Sequence, residues 1–561
     1  MTKYEVLSPV TRLWLALAII FCTLLTSVQA QSVTYLDQGW DDDARQKFYY
    51  APQGSELIRY SWFMALEQPD CACLFRDDDY LASFKFLPNR PNRYNPDGLP
   101  VGFVGEARQA KDRWLGMTCA ACHTTQFEYR GRAVRVDGGT TLADMIAFQQ
   151  ALVDAVRATV KQDDKFCRFA WRVLGPSATA EQFAELRAEL KEGLVGLADW
   201  AAHSRPANPT GFGNWDAVNI LMNKINADAL GEPANNRTPQ VPVSYPSIWQ
   251  SNEMDRILWN ASVHNLTLRE IGEVVIVFGN AKVTATDQGL HMDSSADLPA
   301  LQEIYDAVSE LEPPRWPANI LGQLDQEKVA LGAKIYEREG CAACHANKPP
   351  YPMTEPNQWG KEFIKAYPTP IAQVGTDPDY AMYFVQRTAK PGIMAPAFKG
   401  TPFENAENMP AAVLFLGTLA GITMSEIKAM GVPDDEIPHW LGYREMPTLP
   451  KTEAELNALV QSLLVYKAAP LAGVWASAPY LHNGSVPTLY DLLLPDDQRP
   501  KSFTLGNREF DPERVGYKTG DIEGGYRFDT TLKGFSNVGH RYGTTITDNE
   551  RWALVEYLKS M

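Results

Sequence analysis

Histidine and cysteine are scarce in this chain, eight of each in 561 residues. At that density a histidine directly behind a C-x-x-C pair arises by chance only about 0.002 times in such a sequence. Positive charge is also short: 52 Lys and Arg face 68 Asp and Glu, a net charge of −16. That deficit excludes nucleic acid and anionic membrane surfaces as partners. It would suit a small basic electron-transfer protein, although the solubility of an exported protein accounts for it equally well. Beyond residue 30 no apolar run is expected to be long enough to span a bilayer. No βαβ pattern surrounds the cysteine pairs, which removes the thioredoxin-like context.

Against this scarcity stands one pentapeptide, Cys119-Ala120-Ala121-Cys122-His123, repeated letter for letter as Cys341-Ala342-Ala343-Cys344-His345. C-x-x-C-H is the signature of covalent c-type haem attachment. Two thiols three positions apart each form a thioether with one vinyl group of a porphyrin, and the adjacent imidazole falls beneath the iron as proximal ligand. A structural zinc site wants four closed ligands, and each cluster offers three. The expectation is two covalently bound haem c groups, attached through Cys119, Cys122, Cys341 and Cys344, with His123 and His345 as iron ligands.

The first 30 residues read as a cleaved export signal: Lys3 and Arg12, an apolar stretch from Leu13 to Leu25, then Val28-Gln29-Ala30. The bulky Phe21 ahead of Cys22 argues against lipoprotein-type cleavage. Export to the periplasm or beyond fits haem c, which is attached outside the bacterial inner membrane. Cys71, Cys73 and Cys167 remain as an odd set, with a bridge from Cys71 or Cys73 to Cys167 the better geometry, since residues two apart make a strained disulfide.

A chain this long exceeds one core. Residues 31–105, rich in aromatics and Asp, are expected to wrap a first haem domain at 106–312. A second haem domain is expected at 313–561. Helical spacing covers Thr141 to Val156, and Thr179-x-x-Gln182 is a capping box. Asp325 caps a helix that carries Gly332, Ala333 and Tyr336 into Cys341, the small residues permitting a close crossing. Thr547-x-x-Glu550 is a capping box for a last helix with Trp552, Leu554, Val555 and Leu558. A helix entering the haem motif and a terminal helix across it is the cytochrome c arrangement. The fold class expected is mainly α: two cytochrome c-like haem domains with long loops and an N-terminal wrapping segment.

Two C-x-x-C-H sites about 220 residues apart in an exported chain resemble the bacterial dihaem cytochrome c peroxidase superfamily. The surrounding blocks narrow the resemblance. They are Arg135-Val136-Asp137-Gly138-Gly139, Gly211 to Ala217, Val243 to Trp249, Ala478 to Leu489, and Asn537-Val538-Gly539-His540. Together they resemble the dihaem rubber oxygenase branch, which includes haem dioxygenases of unsaturated fatty acids. The resemblance implies that His540 is the sixth ligand opposite His345, while the iron over His123 keeps an open or O2-occupied face. It also implies an aromatic between the haems, with Trp249 the nearest match and Trp215 or Trp259 as alternatives. His264 stands where that branch would have an apolar distal pocket; facing the first iron, it would act as a base toward peroxide or O2. His482, in a turn, is expected to hydrogen-bond near a haem propionate.

Two functions follow from the resemblance. In one, O2 is activated at the N-terminal haem and both oxygens enter an unsaturated hydrocarbon or lipid, polyisoprene or a fatty acid, with the C-terminal haem as electron-transfer centre. In the other, hydrogen peroxide is reduced with electrons from a small cytochrome or cupredoxin, which requires a distal acid–base pair. A plain electron carrier would not need this length.

Overall fold

The computed structural model describes residues 33–109, 112–346 and 349–561. The expected export signal lies outside the described residues. The expectation of a mainly α protein built from two cytochrome c-like haem domains is corrected. The chain is 41 % helix and 14 % strand, the strands forming several small sheets of two or three. One dominant cluster of buried side chains runs from Trp40 to Leu558 without dividing between the two halves. A small satellite of Phe212, Phe503, Leu505, Phe528 and Phe535 sits beside it.

The strands were hidden from sequence periodicity because they are short and pair over long distances. Val33–Tyr35 runs parallel to Arg132–Asp137, which pairs in turn with Thr124–Tyr129. Ile58–Arg59 pairs with Asp112–Met117. The N-terminal segment is therefore stitched into the sheets on either side of the first pentapeptide. Asp137 is the anchor of that attachment. Its buried carboxylate takes Trp40 Nε1 at 3.1 Å, Arg45 Nε at 2.7 Å and the Tyr49 hydroxyl, while Gln38 bonds its backbone on both sides. A buried carboxylate left without these donors would be strongly destabilising.

The helical expectations near the termini of the second half are met locally. Asp325 caps Gln326–Arg338, and Thr547 and Glu550 form a capping box on Asp548–Lys559; the Thr179–Gln182 box is also formed. Gly332 lies directly against the last helix: a Cβ there would stand 2.1 Å from Ala553 O and 2.6 Å from Tyr557 Cβ. The crossing exists because that side chain is absent.

One helix among the described residues, Ala411–Ala429, is long and apolar enough to cross a membrane, contrary to the expectation that no such run follows the leader. Leu414, Phe415, Leu419 and Ile422 are buried in the core, and Gly421 is pressed against the Met292 sulfur from strand Gly289–Ser294. It is a core helix by its contacts. Cys71, Cys73 and Cys167 are free thiols, so the expected bridge is not formed.

Candidate haem sites

Both pentapeptides fold into the same 3-10 turn. Cys119 O accepts from Cys122 N at 3.2 Å and from His123 N at 2.9 Å; Cys341 O accepts from Cys344 N and His345 N at the same two distances. The turn brings both thiols and the imidazole of each copy to one side. Burial pushes the Cys122 thiol up to about 12 and Cys341 to about 11, so these two thiols stay neutral. Among the described residues no group of three or more His, Cys, Asp or Glu is placed to hold a metal ion by itself.

Each proximal imidazole is oriented by a carbonyl far along the chain. His123 Nδ1 meets Pro246 O at 2.9 Å, and His345 Nδ1 meets Ala469 O at 2.8 Å. Donation from Nδ1 fixes the tautomer and leaves the Nε2 lone pair for iron. Burial lowers the His123 pKa to about 4, and that of His345 falls for the same reason, so both rings are neutral at neutral pH. Pro246 is held in turn by the Arg135–Gly139 block. Ile248 N donates to Gly138 O at 3.0 Å and Trp249 Nε1 to Asp137 O at 2.8 Å. Gly138, at φ +73°, has no room for a Cβ beside the Trp249 indole. The same Asp137 that fastens the N-terminal segment thus supports the strap that aims His123.

The opposite faces differ. His540 stands across from His345 with ring centres 6.2 Å apart and planes inclined at 56°. Two imidazoles sharing one metal through bonds of about 2.0–2.1 Å place their ring centres roughly 6.3 Å apart, so the spacing fits a haem iron between them. His540 occupies a strained backbone position, φ +48°. Its loop is locked by Arg499, which donates to the carbonyls of Asn537, Gly539 (2.8 Å) and His540 (3.4 Å) as well as those of Leu492 and Leu494. Burial, then His345 and Arg499, hold the His540 pKa down to about 3.

His123 borders a cavity of about 170 Å³ whose wall also includes Cys119, Cys122, Trp215, Tyr245, Trp259, Leu301, Ile304 and Tyr380, with no second histidine. His264 is not among the residues bordering it. Its carbonyl accepts from Arg444 Nη1 at 3.1 Å, and its burial lowers its pKa. A second cavity of about 180 Å³ borders His345. Of the three candidate tryptophans, Trp215 faces the first cavity, Trp249 the second, and Trp259 both. Ser244, Tyr245, Pro246, Ser247, Leu258 and Lys467 complete the shared wall. Trp259 is pinned by Nε1 donation to Ser244 O at 2.8 Å, and its carbonyl takes Lys467 N. His482 is buried and stacked on Tyr466 at 4.1 Å.

Sequence reasoning missed Arg269, Glu270 and Glu273, which reach the first cavity from helix Leu266–Ile276. An Arg–x–x–x–Glu pair at i,i+4 reads in a sequence as a solvated helix face, and only the fold turns it inward.

Comparison with known proteins bears on the second half of the chain. Residues 465–504, which hold Ala469, His482 and Arg499, match a family described as RoxA-like, cytochrome c-like. A cytochrome c-like segment implies covalently bound haem c, and the match supports a RoxA-like relationship, not membership of the dihaem peroxidase superfamily at large. The Sinorhizobium fredii protein y4iJ, described as uncharacterized, is 32 % identical over 95 % of this chain and 94 % of its own length. A second protein of that organism, y4iM, is 25 % identical over 63 % of this chain and 73 % of its own. The chain therefore belongs to the family of y4iJ and carries a RoxA-like, cytochrome c-like segment.

Proposed function

We propose that this protein is an exported dihaem oxidoreductase that activates O2 at the His123 centre and dioxygenates an unsaturated hydrocarbon or lipid there. In this reading the His345 centre serves electron transfer. The observation that carries the reading is that a second imidazole, His540, stands across from His345, whereas no second histidine lines the cavity at His123. When bound, haem c supplies a redox-active iron able to take up a small oxidant. His123, oriented through Pro246, would hold it; Cys119 and Cys122 would fix its edge. Trp215, Tyr245, Leu301 and Ile304 would exclude water and pack a carbon–carbon double bond. Trp259, touching both cavities, is the residue best placed to relay electrons between the centres.

A second reading, peroxide reduction with electrons from a small cytochrome or cupredoxin, is favoured by one observation, the charged group Arg269, Glu270 and Glu273 in the first cavity. Oxygen uptake with an unsaturated lipid, with analysis of the products, tests the first reading against peroxide turnover with a reduced cytochrome. Cleaved, oxygenated lipid is the expected result. Peroxide turnover without lipid oxidation would replace the first reading with the second.

A further inference from the structure

The wall shared by the two cavities carries one charged side chain among the described residues, Lys467. Strand Val465–Ala468 places it there. Its backbone N–H donates to Trp259 O at 2.8 Å, and Trp259 Nε1 donates to Ser244 O, two residues ahead of the Pro246 carbonyl that meets His123. Two residues beyond Lys467 lies Ala469, whose carbonyl meets His345. Lys467 thus sits on the bonded path that joins the two straps behind the proximal histidines.

Its main chain is engaged and its ammonium is not. Among the described residues Nζ makes no hydrogen bond, and no carboxylate stands within ion-pair distance of it. The nearby acids have other partners: Asp255 Oδ1 takes Ala366 N at 2.8 Å, and Glu273 and Glu270 lie 3.3 and 3.9 Å from Arg269. Burial draws the Lys467 pKa down to about 8, with Asp255 opposing the fall and Arg269 adding to it. An ammonium taken out of water without a counter-ion is costly, and a lysine ordinarily avoids that cost by stretching its stem toward solvent. This one borders the two cavities instead.

We propose that Lys467 is the counter-ion of a carboxylate that reaches the wall between the two centres. The inference rests on the reading that His123 and His345 each hold a haem c, and it is independent of the oxidant used. Two sources carry that chemistry: a propionate on the porphyrin edge, or the carboxylate of an unsaturated fatty acid. The position favours the propionate, because a permanent cation on a wall shared by both centres calls for a partner that stays when substrate leaves. In that role Lys467 is a positioning residue. Held by Trp259 and by the strap of His345, it would pin the porphyrin edge relative to the proximal ligands.

The test uses the haem-loaded full chain as wild type, Lys467→Arg, which keeps the charge, and Lys467→Gln and Lys467→Met, which remove it with and without a polar end. The two neutral variants guard against one of them failing to fold, and the optical spectrum of attached haem shows that each has assembled. Without lipid, resonance Raman spectra report the propionate bending modes, whose frequency rises with hydrogen bonding to the propionate. One mode is expected to drop in the Gln and Met variants and to stay in the Arg variant. A second arm follows the binding of an unsaturated fatty acid and of its methyl ester. If the carboxylate belongs to the lipid, the propionate modes hold still and the acid, but not the ester, binds the neutral variants at least about tenfold more weakly, the worth of one hydrogen bond to a charged group. Propionate modes and acid-over-ester preference that are both unchanged overturn the proposal and leave the ammonium merely hydrated. A dropped propionate mode in a protein that oxidises no lipid keeps Lys467 in its role and rejects only the oxygenase reading.

Discussion

Replacing Arg499 should open the second centre while leaving the first intact. Its guanidinium is fully buried and serves five carbonyls, three of them in the Asn537–His540 loop. Hydrogen bonds to a charged group are worth about 1.5–3 kcal/mol each, but they share one side chain and do not add. Removing one partner of a buried charged network typically costs about 3–5 kcal/mol. If about 3 kcal/mol of that falls on the loop, the ratio of closed to open loop drops roughly 150-fold. The strained φ of His540 adds to the tendency to let go. Arg499→Lys should recover little, since an ammonium cannot fork to several carbonyls. The assay is the optical and electron paramagnetic spectrum of the oxidised protein: a high-spin component should appear at the His345 centre, together with carbon monoxide binding there. A folded Arg499→Ala protein whose second centre stays wholly low-spin would refute the claim that this arginine holds the ligand in place.

His540→Ala should give the same spectral opening outright, whereas His264→Ala, outside both cavities, should leave both spectra unchanged. Gly332→Val should lower stability by about 1–3 kcal/mol, the usual cost of overpacking, because its side chain meets the Ala553 carbonyl at the crossing; a thermal melt checks it. His482, whose burial holds its pKa at about 3, takes up protons more readily when unfolded. Stability should therefore fall as pH drops from about 6.5 toward 3. His482→Phe, which keeps the stack on Tyr466, should flatten that part of the curve in denaturant titrations.

The sequence makes legible what is local. The pentapeptides, the caps at Asp325 and Thr547, and the glycine at the helix crossing each act within a few residues or through one missing side chain. The sheets are not legible, because a three-residue strand such as Val33–Tyr35 has no periodicity to read and its partner lies about 100 residues away. The fold class fails for the same reason: helical spacing shows in a window, long-range pairing does not. As text, the resemblance favours Trp249 and leaves Trp259 as an alternative. What separates them is that Trp249 is turned toward Asp137 O as a brace, while Trp259 lies in the wall between the cavities.

The two half-sites also indicate where divergence has acted. The same five letters, the same turn and the same Nδ1-to-carbonyl bond recur, with the carbonyl 123 residues beyond one imidazole and 124 beyond the other. The flanks differ in detail: the Thr118 side chain caps the first turn, while Gly340, left-handed at φ +74°, precedes the second. The larger difference is a histidine on a loop clamped by Arg499, which stands across from His345 and has no counterpart lining the cavity at His123. A loop is an economical place for a sixth ligand, since one arginine fixes it and one substitution frees it. Removing that histidine, by His540→Ala, should give the His345 centre the open-face spectrum proposed for the His123 centre. If proximal geometry governed the roles instead, the spectra would keep their original assignment.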